Sequence, residues 1–230
     1  MKTYSRVTLA FLILILVVPQ VRADPASKWE KAYEKSQSLN QEGKYNEAIV
    51  SAKAALELAE KNWPNDSQHS NSLYLLADLY DSQGLYANAE PLFKQCLVIE
   101  EKNLGPNHPE VATTINGLAL LYYNQGKYAE AEPLYKRAFA IYEKALGPDH
   151  PQVATGLNNL AALYDDQGKY AEAEPLYKRS LVIWKKALGL DHPQVALGLN
   201  NIALLYRATD REAEAEKLEK RAKAIEAKEL

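Results

Sequence analysis

Three of the four histidines stand at regular intervals, and of all residues in the chain they most resemble a metal site. His108, His150 and His192 are equally spaced, and each is followed by proline. A shared metal would require bonds of about 2 Å, whereas successive units of such a period are displaced by about 10 Å, roughly one helix diameter. We therefore expect each histidine to cap the helix that its proline opens, with Asp66 in the same role upstream. No metal and no other cofactor is predicted.

Other residue types that could perform catalysis lack the partners that catalysis needs. Cys96 is the single cysteine, and no histidine lies in its own helical segment, so a nucleophilic or redox role is not expected. The sequence contains no G-x-S-x-G, no H-E-x-x-H, no C-x-x-C and no phosphate-binding glycine loop. The glutamates of a recurring A-E-A-E run are expected on a solvated helix face. The sequence therefore predicts a protein that is not an enzyme.

These residues belong to an internal repeat, which dominates the chain. Gly43, Gly84, Gly126 and Gly168 recur at a nearly constant interval, and Asp210 takes the same position in a fifth copy. A period of roughly 40 residues is typical of a solenoid, in which each unit covers the apolar face of its neighbour. Apolar residues recur at intervals of three and four on both sides of the glycine, which predicts two helices joined by a tight turn. The predicted copies span residues 27–63, 66–105, 108–147, 150–189 and 192–228.

The N-terminal residues have the composition of a secretory signal. Lys2 and Arg6 precede an apolar run at residues 7–18, and Val21 and Ala23 place branched and small residues before the expected cleavage point. The run is shorter than the roughly 20 residues that a membrane-spanning helix needs. We predict a signal peptide at residues 1–23, a single domain at residues 24–230, and a periplasmic or secreted location. Retention of the signal as an anchor is the alternative.

The net negative charge of the chain bears on which partners it is expected to bind. Residues 1–23 contain three cations and no acid, so their removal would change the net charge from −3 to −6. A chain with no basic stripe and no positive balance is not expected to bind nucleic acid.

The cysteine content bears on how the fold is stabilised. One cysteine allows no internal disulfide, so packing must stabilise the fold.

The repeated residues resemble those of tetratricopeptide repeats. The resemblance rests on alanines at one position of every copy, on tyrosines around a Q-G-K-Y turn, and on the run A-E-A-E-P-L-Y-K-R. They are similar to the longer repeat form found in kinesin light chains, over about residues 27–228. The resemblance implies an all-α fold, a right-handed α-solenoid of about five helix–turn–helix repeats. It also implies that the first helices line a concave groove that binds a peptide or protein segment.

By position in the repeat, the resemblance implies a set of groove-lining residues. They are Tyr74, Asp78 and Asp81; Asn116, Leu120 and Tyr123; Asn158, Asn159, Ala162 and Asp165; and Asn200, Asn201, Leu204 and Arg207. Asn116, Asn158 and Asn200 share one position, which would stack them as a ladder along the groove. Because an amide carries both donors and an acceptor, such a ladder can pair with the backbone of an extended peptide. The alternative is that duplicated units keep the same residues without selection for binding.

The charge of this lining departs from related grooves. Asp78, Asp81, Asp165 and the neighbouring Asp166 stand against Arg207. This balance argues against the clamping of a C-terminal carboxylate and against the acidic cargo peptides of kinesin light chains. By charge complementarity it favours neutral or Lys/Arg-bearing segments.

The last repeat differs from the others. Glu212 replaces the tyrosine after the turn, and Glu219 replaces an aromatic residue that would pack on a following unit. Residues 211–230 are therefore predicted to be a solvating cap. Alternatively, Leu218 and Ile225 could dock on a partner helix or on a second copy of the chain.

Taken together, these features predict an exported, non-catalytic scaffold that binds a peptide or protein segment in its groove. The first alternative is a self-associating structural protein whose repeats build an oligomer. A second alternative is an enzyme whose site lies hidden in the groove.

Overall fold

The computed structural model describes residues 24–228, so the predicted signal peptide at residues 1–23 lies outside the described residues. Over residues 24–228 the chain forms ten α-helices and no strand. In chain order they are α1 (Pro25–Gln41), α2 (Tyr45–Asn62), α3 (Ser67–Ser82), α4 (Tyr86–Leu104), α5 (Pro109–Asn124), α6 (Tyr128–Leu146), α7 (Pro151–Asp166), α8 (Tyr170–Leu188), α9 (Pro193–Ala208) and α10 (Glu212–Glu226). They form the predicted right-handed α-solenoid of five helix pairs. No helix in this part of the chain is long and apolar enough to cross a bilayer.

The turn inside each pair has a left-handed residue at its centre. Gly126 has a φ of 70°, and the N–H of Lys127 donates to the carbonyl of Tyr122 at 2.9 Å, which closes the end of α5. Asp210 adopts the same conformation with a φ of 58°, as its place in the repeat predicts. Aspartate tolerates this region better than most residues that have a Cβ. The tight turn sets the two helices of a pair side by side.

The histidines cap helices, as predicted. Nδ1 of His150 accepts a hydrogen bond from the N–H of Gln152 at 3.2 Å, and His108 and His192 make the equivalent bond. Asp66 stands at the N-cap position of α3, as predicted, but the capping bond expected from its side chain is absent. The turn before α3 differs: Asn65 has a φ of 70°, and its N–H donates to Nδ1 of His69. The backbone of this turn is therefore held by the ring of His69, which lies in the first turn of α3.

The core runs the length of the array between the two layers of helices. Alanines at the small positions, such as Ala131 and Ala173, have no exposed surface, so helices of one pair approach closely. Large side chains such as Trp184, 1% exposed, fill the space between pairs. At the C-terminal end, Ile225 is fully buried and Leu218 packs against the same core. The docking alternative for these two residues is therefore wrong, because they face their own array.

Candidate functional site

The predicted lining residues lie on α3, α5, α7 and α9, which touch one another directly along the array. α3 contacts α5, α5 contacts α7, and α7 contacts α9. These four helices form one continuous surface, here called the groove face. The even-numbered helices stack behind it in the second layer.

Asparagines on the groove face bind one another between repeats. Nδ2 of Asn159 donates to Oδ1 of Asn116 at 3.0 Å, and Nδ2 of Asn201 donates to Oδ1 of Asn158 at 2.9 Å. Each bond joins two positions that differ by one within the repeat, so the bonds do not link the three aligned asparagines as a simple ladder. Asn158 is 7% exposed, and it is the most enclosed member of the set. These amides hold adjacent first helices together and thereby fix the shape of the face.

Two further residue pairs, hydrogen-bonded to each other, span the same interval along the chain. Nδ2 of Asn124 donates to both carboxylate oxygens of Asp81, at 3.3 and 3.2 Å. The hydroxyl of Tyr123 donates to Oδ2 of Asp166 at 2.5 Å. Asn124 was not among the predicted lining residues. A search for polar pairs one position beyond the repeat period would have found it, because neighbouring first helices meet one residue out of register.

At the C-terminal end, two predicted lining residues are held by the last helix. Nε and Nη2 of Arg207 donate to the carboxylate of Glu219 at 2.8 and 3.0 Å, and Nη1 donates to Glu212. Nδ2 of Asn200 donates to Oε1 of Glu226 at 3.0 Å. The charge of Arg207 is therefore balanced within the chain, and it does not offset the groove carboxylates.

The groove face carries negative charge without a matching cation. The first helices of the second, third and fourth repeats, α3, α5 and α7, contain no lysine or arginine. Their aspartates Asp78, Asp81, Asp165 and Asp166 form no ion pair within residues 24–228. Carboxylates crowded on a partly dry surface favour a bound cation, which both neutralises them and replaces lost water.

Burial raises the pKa of three aspartates on the groove face, Asp78, Asp81 and Asp165. It raises the pKa of Asp78, and repulsion from Asp81 adds to the effect. It also raises the pKa of Asp81, which the Asn124 amide partly offsets. The pKa of Asp165 is raised by burial and by repulsion from Asp166, against a lowering contribution from Tyr177. Each shift shows that the ionised carboxylate is poorly compensated in the chain itself.

The remaining lining residues provide apolar contact area. Tyr74 packs edge-on against Phe93, with ring centroids 5.5 Å apart. Leu120 is 37% exposed and Leu204 is 61% exposed, while Ala162 is half-buried between them in sequence. Exposed leucines, amides and carboxylates thus lie together on the groove face.

The residues that might have carried chemistry are engaged or enclosed. Cys96 is fully buried, and burial strongly raises the pKa of its thiol. The capping histidines each use Nδ1 in their own helix. Over residues 24–228, no three His, Cys, Asp or Glu side chains come together in a way that could hold a metal ion.

Comparison with known proteins identifies the fold. The family model for the tetratricopeptide repeat matches residues 30–99, 69–144, 110–181 and 157–226. BtubC (BKLC) from P. vanneervenii has a similar structure with a TM-score of 0.74 and 26% identity, over 89% of this chain and 83% of that one. A putative kinesin light chain with nearly identical TPR-like repeats from Podosopora anserina has a TM-score of 0.70 and 27% identity, over 90% and 99% of the two chains. Among curated protein sequences, none matches the chain.

Solved structures with lower identity share the same fold. Aspartyl phosphate phosphatase F from Bacillus subtilis has a TM-score of 0.67 at 15% identity, over 88% of this chain and 61% of that one. The four overlapping family matches cover almost the whole described array, and they agree with the five helix pairs. The chain therefore belongs to the tetratricopeptide repeat family, as its repeated residues predict.

Proposed function

We propose that this chain is an exported, non-catalytic scaffold whose groove face binds a neutral or Lys/Arg-bearing segment of another protein. Proteins of this fold are generally interaction scaffolds, and that general role extends to this chain through its family. The observation that carries the more specific proposal is the uncompensated charge of the groove face. Its aspartates have no cation within the described residues, and its one arginine is held by Glu212 and Glu219.

Export is supported by the N-terminal sequence alone. Lys2 and Arg6 stand before an apolar run, and Ala23 follows at a suitable distance for cleavage. An exported scaffold would bring together components of an envelope or secreted assembly. N-terminal sequencing of the protein recovered from its host tests cleavage after Ala23, and an intact N-terminus would contradict it.

The binding proposal can be tested with peptides of equal length and different charge. We would titrate extended decapeptides that carry lysine, glutamate or only neutral side chains against the chain and its Asp78→Asn/Asp165→Asn variant. Asparagine keeps the size of each side chain and removes its charge. Each removed charge should cost roughly 0.5–1 kcal/mol of binding to a cationic peptide, which is a few-fold in Kd.

A matched variant controls for net charge. Glu130→Gln/Glu172→Gln removes two charges from exposed positions on α6 and α8, outside the groove face. We expect this variant to bind the lysine peptide as the native chain does. Preference for the glutamate peptide, or equal loss in both variants, would contradict the proposal. A molar mass that rises with concentration in light scattering would instead favour the self-associating alternative.

A further inference from the structure

One position of the second helix differs in chemistry from repeat to repeat. Glu100 of α4 occupies the place that Tyr142 and Trp184 hold in the next two repeats. Both aromatic residues are almost fully buried, at 4% and 1% exposure. Glu100 is 5% exposed, so a buried carboxylate sits where the third and fourth repeats place a large ring. The first repeat has the buried Ala59 at this position, and the fifth has the exposed Glu226.

The facing position changes together with it. The aromatic rings pack over glycine: Trp184 ring carbons would lie 3.3 Å from a Cβ built on Gly198, and Tyr142 would lie 3.8 Å from one built on Gly156. The residue that faces Glu100 is Thr114 of α5, whose hydroxyl donates to Oε2 of Glu100 at 2.7 Å. The aromatic and glycine pair is thus replaced by a hydrogen-bonded polar pair.

Exchange of a ring for a carboxylate leaves space beside Glu100. One cavity of about 260 Å³ is bordered by Glu100, Glu110, Asp66, Gln68 and Asn103, among others. A second cavity of about 120 Å³ is bordered by Glu100 and Glu110 together with Tyr33, Asn71, Tyr74, Thr113 and Thr114. We call the two cavities, which share Glu100 and Glu110, the Glu100 pocket. Tyr74 is a predicted lining residue of the groove, so the pocket borders the groove face.

Glu100 has neutral hydrogen-bond donors and no counter-ion. The thiol of Cys96 donates to Oε1 at 3.4 Å, and the hydroxyl of Thr114 donates to Oε2. Glu100 forms no ion pair in the described part of the chain, and no Lys, Arg or His borders either cavity. Burial raises the pKa of this carboxyl and repulsion from Glu110 adds to that effect, although its two hydrogen bonds and the nearby His108 offset part of it. A buried, uncompensated carboxylate is costly unless a cation completes the site.

The walls of the pocket fit the end of an alkylammonium chain. The Tyr33 and Tyr74 rings provide aromatic surface, which attracts cations and covers methylene groups. Glu110 is exposed at the border of both cavities, and Glu100 lies beneath it in the buried layer. An ammonium group with three donors could therefore reach both carboxylates and a neutral acceptor such as Thr113.

We propose that the Glu100 pocket binds a primary alkylammonium group, which a lysine of the segment held on the groove face would supply. This inference rests on the proposed function, and it names the anchor point of that segment. We propose lysine rather than a free amine as the source of the ammonium group, because the pocket borders the surface along which the segment would run.

The pocket can be tested separately from peptide binding with a small probe. We would titrate n-butylammonium into the full chain and follow the backbone amide signals of Thr114 and Asn71 by NMR. Saturable shifts are expected in the native chain and in the control Glu172→Gln, and they should be lost in Glu100→Gln. The neutral isostere n-butanol should produce no such shifts. Equal shifts in Glu100→Gln, equal shifts with n-butanol, or none in the native chain would overturn the proposal.

A second variant keeps the test valid if Glu100→Gln folds poorly. Glu100→Tyr/Thr114→Gly restores the pair found at Tyr142 and Gly156, so it should fold, fill the pocket and bind no n-butylammonium. The source of the ammonium group is then identified with a lysine peptide, its norleucine counterpart and free spermidine. The lysine peptide should bind at least about tenfold more weakly to Glu100→Gln.

The outcomes separate the two proposals. A peptide that binds the groove face with equal Kd in Glu100→Gln would overturn the pocket and leave the proposed function standing. Binding of n-butylammonium or spermidine in the pocket without binding of any peptide would overturn lysine as the source and contradict the proposed function.

Discussion

Three buried glycines on the groove helices give a graded test of how closely the repeats pack. A Cβ at Gly117 would lie 2.9 Å from Cε1 of Phe93, a fully enclosed ring. A Cβ at Gly198 would lie 3.3 Å from Leu181 and Trp184, and one at Gly156 would lie 3.5 Å from Phe139. The first distance is a clash, the second is tight, and the third is an ordinary contact.

Two opposing terms decide the sign of each Gly→Ala change. In a helix interior, alanine is more favourable than glycine by about 1 kcal/mol in helix propensity. Extra volume in a packed core costs roughly 1–3 kcal/mol. Gly156→Ala should therefore raise the free energy of unfolding by about 0.5–1 kcal/mol, because it gains propensity without overlap. Gly117→Ala should lower it by roughly 1 kcal/mol, and Gly198→Ala should fall between the two.

Urea unfolding followed by far-UV circular dichroism measures the series. The difference between Gly156→Ala and Gly117→Ala should be about 2 kcal/mol, provided that the m-value is unchanged and unfolding stays two-state. Equal destabilisation by all three changes would refute the reasoning. It would mean that the helices are spaced differently from the structure described.

Three further predictions concern the contacts between repeats. Removing the amides of Asn158 and Asn201 singly and together should give a coupling energy of about 0.5–1.5 kcal/mol in the free energy of unfolding, and additive losses would contradict the bond. Hydrogen bonds from Arg211 and then Lys178 lower the pKa of Glu174 to about 2 from its ordinary 4.5. The stability that this carboxylate contributes is complete above pH 4.5 and is lost as pH falls towards 2. The loss in the free energy of unfolding caused by Arg211→Ala should therefore shrink as pH falls from 4.5 to 2. A loss that stays constant over this range would contradict the prediction. The Cys96 thiol should react with a thiol reagent only on unfolding, and fast labelling of the folded chain would contradict its burial.

The repeat and its local devices could be predicted from the sequence. The repeat period predicted the helix pairs. Residues that recur at the same position of the repeat predicted two further features: capping by His108, His150 and His192, and the left-handed turn at Asp210. These features depend on neighbours close in sequence. The side-chain bond expected of Asp66 at its N-cap position is absent, and the turn before it differs from the other repeats through Asn65 and its bond to His69.

Contacts between repeats were harder to predict. The aligned asparagines suggested a ladder at the repeat period, whereas Asn159 binds Asn116 because neighbouring first helices meet one position out of register. Arg207 was expected to contribute charge to the groove, but Glu219 of the last helix reaches it. The register and reach of helices packed in space set both contacts, and spacing along one chain does not contain this information. The sequence shows that Glu100 aligns with Tyr142 and Trp184 of the next two repeats, but only the structure shows that this carboxyl is buried and borders two cavities.

A photo-crosslinking residue placed on the groove face tests the central claim most directly. Leu204 on α9 and Val182 on α8 are equally exposed, at 61% and 62%, but only Leu204 lies on the groove face. We would place p-benzoylphenylalanine at each position in the chain expressed in its host, irradiate, and identify the adducts by mass spectrometry. Adducts to a peptide segment of another protein from position 204, and not from position 182, are predicted. Adducts from position 182 alone, or equally from both positions, would contradict the assignment of recognition to the groove face.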